Sequence, residues 1–322
     1  MRAAGITAVG EPVEILEVHE PAPPGAGEVL IDVAAAGVGN WDELVRIGSW
    51  QIGGPAPMAL GTEAAGTVAA VGSNVPDVRE GDEVMAHPLP LRRHGTWAEK
   101  VVAPAATLAA RPREASWEAA AAFPIPALTA AQVLDEALGI ESGDEVLVNG
   151  AGGVTGGLLV QLAAARGARV IATASAAKAE RIRGYGASEV LDYHGDWPAL
   201  VREITSGGAP KAVNAARGQA ATTLKAVADG GRLATITGDL PQEERGIAAS
   251  DVYVRPDGRQ LSALAELLAR RTLSVPIASV RPLEQATEAL KEVVAGADGA
   301  IVLSLRTQPG PECSRWGCHE SQ

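Results

Sequence analysis

The chain has 322 residues, which is enough for two domains with separate hydrophobic cores. Its formal net charge of −12 argues against nucleic acid or an anionic membrane as a partner, because both attract basic surfaces. No apolar run approaches the roughly 20 residues of a membrane span, and no signal-sequence pattern opens the chain, so we expect a cytoplasmic protein. The two cysteines, Cys313 and Cys318, both lie near the end of the chain and cannot staple a fold of this size.

The first third of the chain predicts a small antiparallel β-domain. Residues 13–19, 28–34 and 66–71 alternate apolar and polar side chains, which is the period of a half-buried strand. The turn-forming segments PAPPGAG and GSNVPDVREGD separate these strands. One or two helical turns are predicted over residues 42–47.

The rest of the chain predicts a parallel sheet with helices on both faces, because strands and helices alternate from residue 145 onwards. A helix is predicted over residues 129–138, after Pro124 and Pro126 interrupt the pattern. The predicted strands that follow are residues 145–149, 169–173, 188–191, 211–214 and 232–236. The predicted helices between them are residues 154–166, 177–184, 196–206 and 217–228. A helix (261–271), a strand (275–280), a helix (283–295) and a strand (300–305) complete the pattern.

A glycine-rich turn between a strand and a helix predicts a dinucleotide site. The segment VLVNGAGGVTGG places Gly150, Gly153 and Gly156 between the strand at 145–149 and the helix at 154–166. Glycines let the backbone approach a diphosphate, and the helix N-terminus offers it unpaired N–H groups and a positive dipole end. Val154 and Thr155, at the start of the helix, belong to the same predicted site.

The end of the next strand favours NADPH over NADH. Proteins that prefer NAD usually place Asp or Glu there to bind the ribose 2′-hydroxyl, but this strand ends in ATAS. Ser175, Lys178 and Arg181 follow instead. A hydroxyl and two cations suit a 2′-phosphate, because they give charge-assisted hydrogen bonds to its oxygens. The alternative is that the two cations are simply solvated helix residues.

Several segments together resemble the medium-chain dehydrogenase/reductase superfamily. Within it, the chain is most similar to the zinc-free quinone oxidoreductase branch, the zeta-crystallin-like enzymes. The likeness covers about residues 1–305. The segments that carry it are AAAGVGNWDELVRIG, LGTEAAGTVAAVGSNV, GDEV, GTWAEKVV, ALTAAQVL, VLVNGAGGVTGG and DGAIVLSL.

The resemblance implies an α/β fold in which a Rossmann doubly wound parallel sheet joins a GroES-like antiparallel β-domain. The implied boundaries are a GroES-like catalytic domain (1–122), a Rossmann NADPH-binding domain (123–257), a C-terminal return to the catalytic domain (258–305) and a disordered tail (306–322). The active site would lie in the cleft between the two domains. A homodimer formed through the edge of the Rossmann sheet is also implied.

The resemblance also implies particular contacts with NADPH. Lys178 and Tyr193 stand where this branch holds the 2′-phosphate. Thr129 matches a threonine beside the cofactor, and Gly238 is a further expected cofactor contact. Thr62, the threonine of GTEAAG, is expected to line the substrate pocket.

No zinc site is expected. Gly39 and Asn40 stand where the zinc alcohol dehydrogenases carry Cys and His, and Thr62 replaces the His of their GHE motif. The histidines lack the spacing of zinc ligands; they are His19, His87, His94, His194 and His319. We therefore expect hydride transfer from NADPH to a quinone or an α,β-unsaturated carbonyl, which needs no metal.

The segment after the long third strand departs from the family pattern. Asn40 lies one place later than the Asn of many members, and Trp50 replaces a Tyr that is a candidate proton donor. Indole is not an acid at neutral pH, so Trp50 cannot take the place of that Tyr as proton donor. Trp41 and Trp50 are instead interpreted as walls of an aromatic pocket for a flat substrate, with core packing as the alternative. Asn40, Trp50 and Tyr253 are the candidate catalytic residues, with Tyr253 as a proton donor.

Two other functions stay open on the sequence. One is the reduction of enoyl thioesters, which is mildly disfavoured by the acidic charge and the missing Tyr. The other is an NADPH-binding protein without redox turnover, a sensor or a non-redox enzyme, because a fold does not fix a function.

Overall fold

Two large sheets organise the computed structural model, which describes residues 1–306 of the chain. Apart from Arg306, the predicted disordered tail with Cys313 and Cys318 lies outside the described residues. The strands are β1 (Arg2–Ile6), β2 (Glu14–Glu17), β3 (Glu28–Val38), β4 (Met58–Ala59), β5 (Ala64–Val71), β6 (Glu83–Ala86), β7 (Lys100–Pro104), β8 (Leu108–Ala110), β9 (Glu145–Asn149), β10 (Arg169–Ala174), β11 (Glu189–Asp192), β12 (Ala209–Asn214), β13 (Val227–Thr235), β14 (Ala248–Asp251), β15 (Ile277–Pro282) and β16 (Ala300–Ser304).

Nine α-helices lie between these strands in the described part of the chain. They are α1 (Asn40–Arg46), α2 (Trp117–Ala121), α3 (Pro124–Gln132), α4 (Val154–Ala165), α5 (Ala179–Gly184), α6 (Trp197–Ile204), α7 (Ala220–Ala226), α8 (Gly258–Ala269) and α9 (Ala286–Ala295). Three short 3₁₀ turns are also present: Ala105–Thr107 between β7 and β8, Ala176–Lys178 before α5 and Leu283–Gln285 before α9. No helix within residues 1–306 is long and apolar enough to cross a bilayer.

The first sheet belongs mainly to the N-terminal part of the chain. Its strands follow the order β15-β16-β3-β5-β6-β8, with β7 also paired to β3, and a small separate sheet has the order β2-β1-β4. The C-terminal strand β16 runs antiparallel to β3 and aligns Ile301 with Val38. The last described strands therefore pair with the sheet that the N-terminal part of the chain forms.

The second sheet is parallel throughout, with the order β11-β10-β9-β12-β13-β14. Val146 and Val148 of β9 face one hydrophobic core and Leu147 faces the other, since side chains alternate along a strand. Helices thus cover both faces, which confirms the predicted α/β fold class. The strand order reverses between β9 and β12, and in such sheets ligands bind at the carboxyl edge beside this point.

Helix α3 corrects one expectation. Pro124 and Pro126 were expected to interrupt the helix before residue 129, but α3 begins at Pro124 and all its residues are buried. Proline is tolerated in the first turn because the N–H groups there have no intrahelical acceptor. The two prolines therefore start this helix. It continues beyond Gln132 as one π-helical turn, Val133–Ala137.

A buried network of amide and hydroxyl groups joins the carboxyl ends of the central strands. Asn149 Nδ2 donates to Asn214 Oδ1 at 3.1 Å and to Thr223 Oγ1 at 2.9 Å. Thr173 Oγ1 donates to Asn149 Oδ1, and Asn214 Nδ2 donates to Thr235 Oγ1 at 3.2 Å. All five side chains are at most 2 % exposed. Because each polar group has a partner, the network fixes where the strands end relative to one another.

This network gives a stability prediction. We expect Thr223→Val to lower the free energy of unfolding by about 1–3 kcal/mol, because it keeps the side-chain shape but leaves one of the two N–H bonds of the buried Asn149 amide without an acceptor. Urea unfolding followed by circular dichroism measures the change. The matched control is Thr222→Val, one residue earlier in α7 and only partly buried, which should stay within about 0.5 kcal/mol of the wild type. Equal losses in the two variants would contradict the role given to the network.

Candidate active site

The glycine turn after β9 presents an uncapped helix N-terminus at the carboxyl edge of the parallel sheet. Gly150 has a φ of +86°, a backbone conformation that favours glycine, and its N–H donates to Thr173 Oγ1 at 3.0 Å. A Cβ on Gly156 would collide with the carbonyl oxygen of Gly150, so α4 packs directly against the turn. Gly153 precedes α4 and provides no side-chain cap. The N–H groups of Val154 and Thr155 therefore remain available to an anion.

The neighbouring strands bring the predicted 2′-phosphate ligands to the same edge. Parallel pairing aligns Ala174 with Asp192, so Ser175 and Tyr193 directly follow the two strands side by side. Tyr193 is 52 % exposed, and its ring lies 4.0 Å from the ring of His194, measured between centroids. The His194 stacking has no counterpart in the sequence-based predictions.

Lys178 and Arg181 reach back towards the glycine turn. Lys178 Nζ lies 3.1 Å from the carbonyl oxygen of Gly152, and an Arg181 guanidinium nitrogen lies 3.4 Å from it. Both cations also bind Asp298, an acid that the sequence gives no reason to place here. The structure thus brings the predicted cations to the glycine turn, together with an unpredicted carboxylate.

On the side of the first domain, an indole ring covers the position where a zinc ligand would project. Gly39 precedes α1, and a Cβ on it would overlap the ring of Trp41. Trp41 is half-buried, and its Nε1 has no hydrogen-bond partner among residues 1–306. Asn40 beside it is exposed. Trp41 therefore explains on steric grounds why residue 39 is glycine.

Two buried carboxyl groups support this region. Asp42 Oδ2 accepts the N–H of Gly39 at 2.8 Å, and burial raises the pKa of Asp42 to about 8. Glu63 Oε2 accepts the N–H of Ile125 at 2.9 Å, between two prolines that have no N–H to offer. Burial, and then the charge of Asp42, raise the pKa of Glu63 well above its usual range. Both acids therefore hold the backbone of this region.

Thr62 and His87 are also fully buried beside these acids. His87 Nδ1 lies 2.7 Å from the carbonyl oxygen of Thr62, so Nδ1 carries the proton and donates it. Burial lowers the pKa of His87 to about 4, which keeps the imidazole neutral at neutral pH. Thr62 Oγ1 and His87 Nε2 have no hydrogen-bond partner within the described residues.

This set of side chains does not fit a catalytic zinc ion. Gly39 has no side chain, Thr62 offers a hydroxyl, and thiolate or imidazole groups are what zinc prefers. Within residues 1–306, no group of three or more His, Cys, Asp or Glu side chains is placed to hold a metal ion.

The remaining predicted site residues lie in different surroundings. Trp50 packs against the core of the first domain. Thr129 Oγ1 donates to the carbonyl oxygen of Ile125 at 2.7 Å.

Gly238, with a φ of +70°, lies beside the hydroxyl of Tyr253. Tyr253 is 74 % exposed, and a hydrogen bond with Asp251, together with its charge, raises the pKa of the hydroxyl. These positions leave the proposed roles of Trp50 and Tyr253 as predictions, and the raised pKa makes Tyr253 a weaker acid.

The buried Asp42 gives a pH prediction. Its folded pKa of about 8 lies above the ordinary value of 3.8, so the folded state binds more protons between these values and stability falls as the pH rises through them. Asp42→Asn is neutral at every pH and can still accept the Gly39 N–H. We expect the melting temperature of the variant, minus that of the wild type, to increase from about pH 5 to about pH 9.

Differential scanning fluorimetry measures this difference at each pH. The control is Asp77→Asn, which makes the same substitution at an exposed position; the change with pH should be clearly larger for Asp42→Asn. A difference for Asp42→Asn that does not change with pH would contradict the raised pKa of this carboxyl group.

Comparisons with known proteins agree with this architecture. Residues 25–113 match the family model described as "Alcohol dehydrogenase GroES-like domain", and residues 154–256 match "Zinc-binding dehydrogenase". A solved structure described as an NAD-dependent alcohol dehydrogenase is 33 % identical, with a TM-score of 0.86, and the match covers 95 % of this chain and 100 % of that one.

Two curated relatives are similar over part of their length. A probable quinone oxidoreductase of Schizosaccharomyces pombe is 35 % identical over 62 % of this chain and 57 % of its own. The 2-methylene-furan-3-one reductase of Solanum lycopersicum is 33 % identical over 66 % of this chain and 55 % of its own. The chain spans about half the length of the curated relatives it matches.

The two sheets, the glycine turn between β9 and α4, and these matches define the family. The chain belongs to the medium-chain dehydrogenase/reductase superfamily, in the branch that includes the quinone oxidoreductases.

Proposed function

We propose that the protein is an NADPH-dependent oxidoreductase that works without zinc and transfers hydride to a quinone or an α,β-unsaturated carbonyl. The observation that carries this proposal is the uncapped N-terminus of α4 at the reversal of strand order, with two cations beside it. An exposed helix N-terminus and neighbouring cations are what a phosphorylated dinucleotide requires.

The described residues fit NADPH along its length. The N–H groups of Val154, Thr155 and Gly156 would hold the diphosphate, with Gly150 and Gly153 leaving room for its approach. Ser175, Lys178 and Tyr193 would hold the 2′-phosphate and ribose. Thr129 and Gly238 complete the expected cofactor contacts. When bound, NADPH would supply the hydride, and the residues of the chain would bind and orient the two reactants.

The side chains of the first domain would orient the acceptor. Asn40 at the start of α1 would donate a hydrogen bond to a carbonyl oxygen of the substrate, and the ring of Trp41 would pack on its flat face. The enolate or phenolate that forms takes a proton from water or from Tyr253, whose exposed hydroxyl lies at the carboxyl edge of the parallel sheet. Trp50 would support the pocket wall from the core side.

The similarity to a quinone oxidoreductase and to a furanone reductase supports these two acceptor classes. We further infer that the protein is cytoplasmic and forms a homodimer through the free edge of β14, which ends the parallel sheet on one side. Light scattering at two protein concentrations measures the oligomeric state.

A panel of acceptors tests the reaction. Purified protein and NADPH are mixed with quinones, simple enones and enoyl thioesters, and the loss of reduced nicotinamide is followed by absorbance. We expect oxidation with quinones or enones. Oxidation with enoyl thioesters alone would mean that the acceptor is an enoyl thioester and not a quinone or a simple enone. Tight NADPH binding without oxidation of any acceptor would favour a non-redox or sensor protein.

A single substitution tests the cofactor. Lys178→Ala should raise the dissociation constant of NADPH about tenfold and leave that of NADH within about twofold, because a charge-assisted contact to the 2′-phosphate is lost. Fluorescence titration of each cofactor measures both constants. Lys225→Ala, which removes an exposed lysine from α7, is the control. An unchanged preference for NADPH in Lys178→Ala would overturn the 2′-phosphate assignment.

A further inference from the structure

A carboxylate from the first domain forms ion pairs with the two cations that are expected to hold the 2′-phosphate. Asp298 lies between α9 and β16, in the segment that returns to the first sheet. Its Oδ1 lies 2.7 Å from an Arg181 guanidinium nitrogen and 3.2 Å from Lys178 Nζ. Arg181 and Asp298 are 117 residues apart in the chain. One acid therefore ties the second domain to the first at the edge of the cofactor site.

The position of this ion pair relative to the glycine turn is well defined. Lys178 and Arg181 both donate to the carbonyl oxygen of Gly152, which lies two residues before the first residue of α4, Val154. Asp298 is thus held close to the place where the adenosine ribose and the diphosphate would lie. The hydrogen bonds from Arg181 and Lys178 lower the pKa of Asp298, so its carboxylate is charged at neutral pH.

The ion pair is accessible and weak enough to exchange. The side chains of Lys178 and Arg181 are about one quarter exposed, at 24 % and 27 %, and that of Asp298 is 63 % exposed. Pairs of this kind contribute little net free energy, because water screens them and ordering long side chains costs entropy. A phosphate group, with more charge and three acceptor oxygens, is a stronger partner for the same two cations.

We propose that Asp298 is a specificity-determining residue that competes with the 2′-phosphate of NADPH for Lys178 and Arg181. This inference rests on the proposed use of NADPH. In the free protein Asp298 holds the two cations, and a 2′-phosphate takes its place and releases the tie between the domains. NADH has no such phosphate and leaves the ion pair intact. Asp298 therefore reduces the preference for NADPH that the two cations by themselves would give.

A second arrangement predicts the opposite result. If Asp298 instead accepted a hydrogen bond from the ribose 2′-hydroxyl, it would do from the other domain what Asp or Glu does at the end of the second strand in NAD-binding proteins. Its removal would then weaken the binding of the unphosphorylated ribose. The two arrangements are separated by ligands that differ only at the 2′ position.

The experiment titrates the full chain with adenosine 2′,5′-bisphosphate and with adenosine 5′-monophosphate, by isothermal calorimetry at low salt. Asp298→Asn keeps the size of the side chain and removes its charge. We expect it to bind the bisphosphate on the order of fivefold more tightly than the wild type and the monophosphate within about twofold. The gain should shrink at about 0.5 M salt, where charges are screened. Neither readout depends on hydride transfer.

The control is Asp77→Asn, which makes the same change in net charge at an exposed position and should leave both affinities unchanged. Thermal melts of each variant confirm that it is folded. Bisphosphate binding that is unchanged or weaker in Asp298→Asn, or weaker monophosphate binding, overturns the role of Asp298.

Lys178→Ala distinguishes this failure from a failure of the cofactor assignment. If Lys178→Ala weakens bisphosphate binding while Asp298→Asn does not strengthen it, NADPH stands and the role of Asp298 falls. If Lys178→Ala changes neither affinity, the 2′-phosphate does not bind at these cations, and both proposals fall together.

Discussion

The position of the glycine turn depends on one buried amide. Asn149 ends β9, and its side chain links Thr173 of β10, Asn214 of β12 and Thr223 of α7. Thr173 in turn accepts the N–H of Gly150. Because unpaired polar groups are costly in a dry interior, the set holds only in one relative position of the strands. The network therefore also determines where α4 begins and where the two cations next to its N-terminus lie.

The first domain is joined to this framework by a second buried polar contact. Helix α3 begins with the sequence Pro-Ile-Pro, so Ile125 is the residue of that tripeptide with an N–H to satisfy, and Glu63 from the other domain accepts it. The same region holds Asp42 and the indole ring that covers Gly39. In this region an indole ring covers residue 39, and two buried acids support the backbone.

Much of this architecture is predictable from local sequence. The strand at Glu145–Asn149 and the helix that begins at Val154 follow from apolar periodicity and glycine spacing. The start of α3 is not predictable in the same way, because proline both ends helices and begins them, and only the buried partner at Glu63 decides between the two. Asn149 and Asn214 end β9 and β12, and Thr173 is the last residue but one of β10. These polar residues at the ends of apolar strands were a signal for the network that the sequence-based predictions missed.

The sequence by itself determined the family, the parallel sheet, the glycine turn and the cations Lys178 and Arg181, since each depends on residues close together in the chain. The tertiary structure alone decided which groups meet those residues. Asp298 reaches the cations because β16 pairs with β3 and carries the preceding segment towards Lys178 and Arg181. Glu63 reaches the N–H of Ile125, which lies 62 residues further along the chain. Contacts between distant residues depend on the packing of whole elements, which no local pattern encodes.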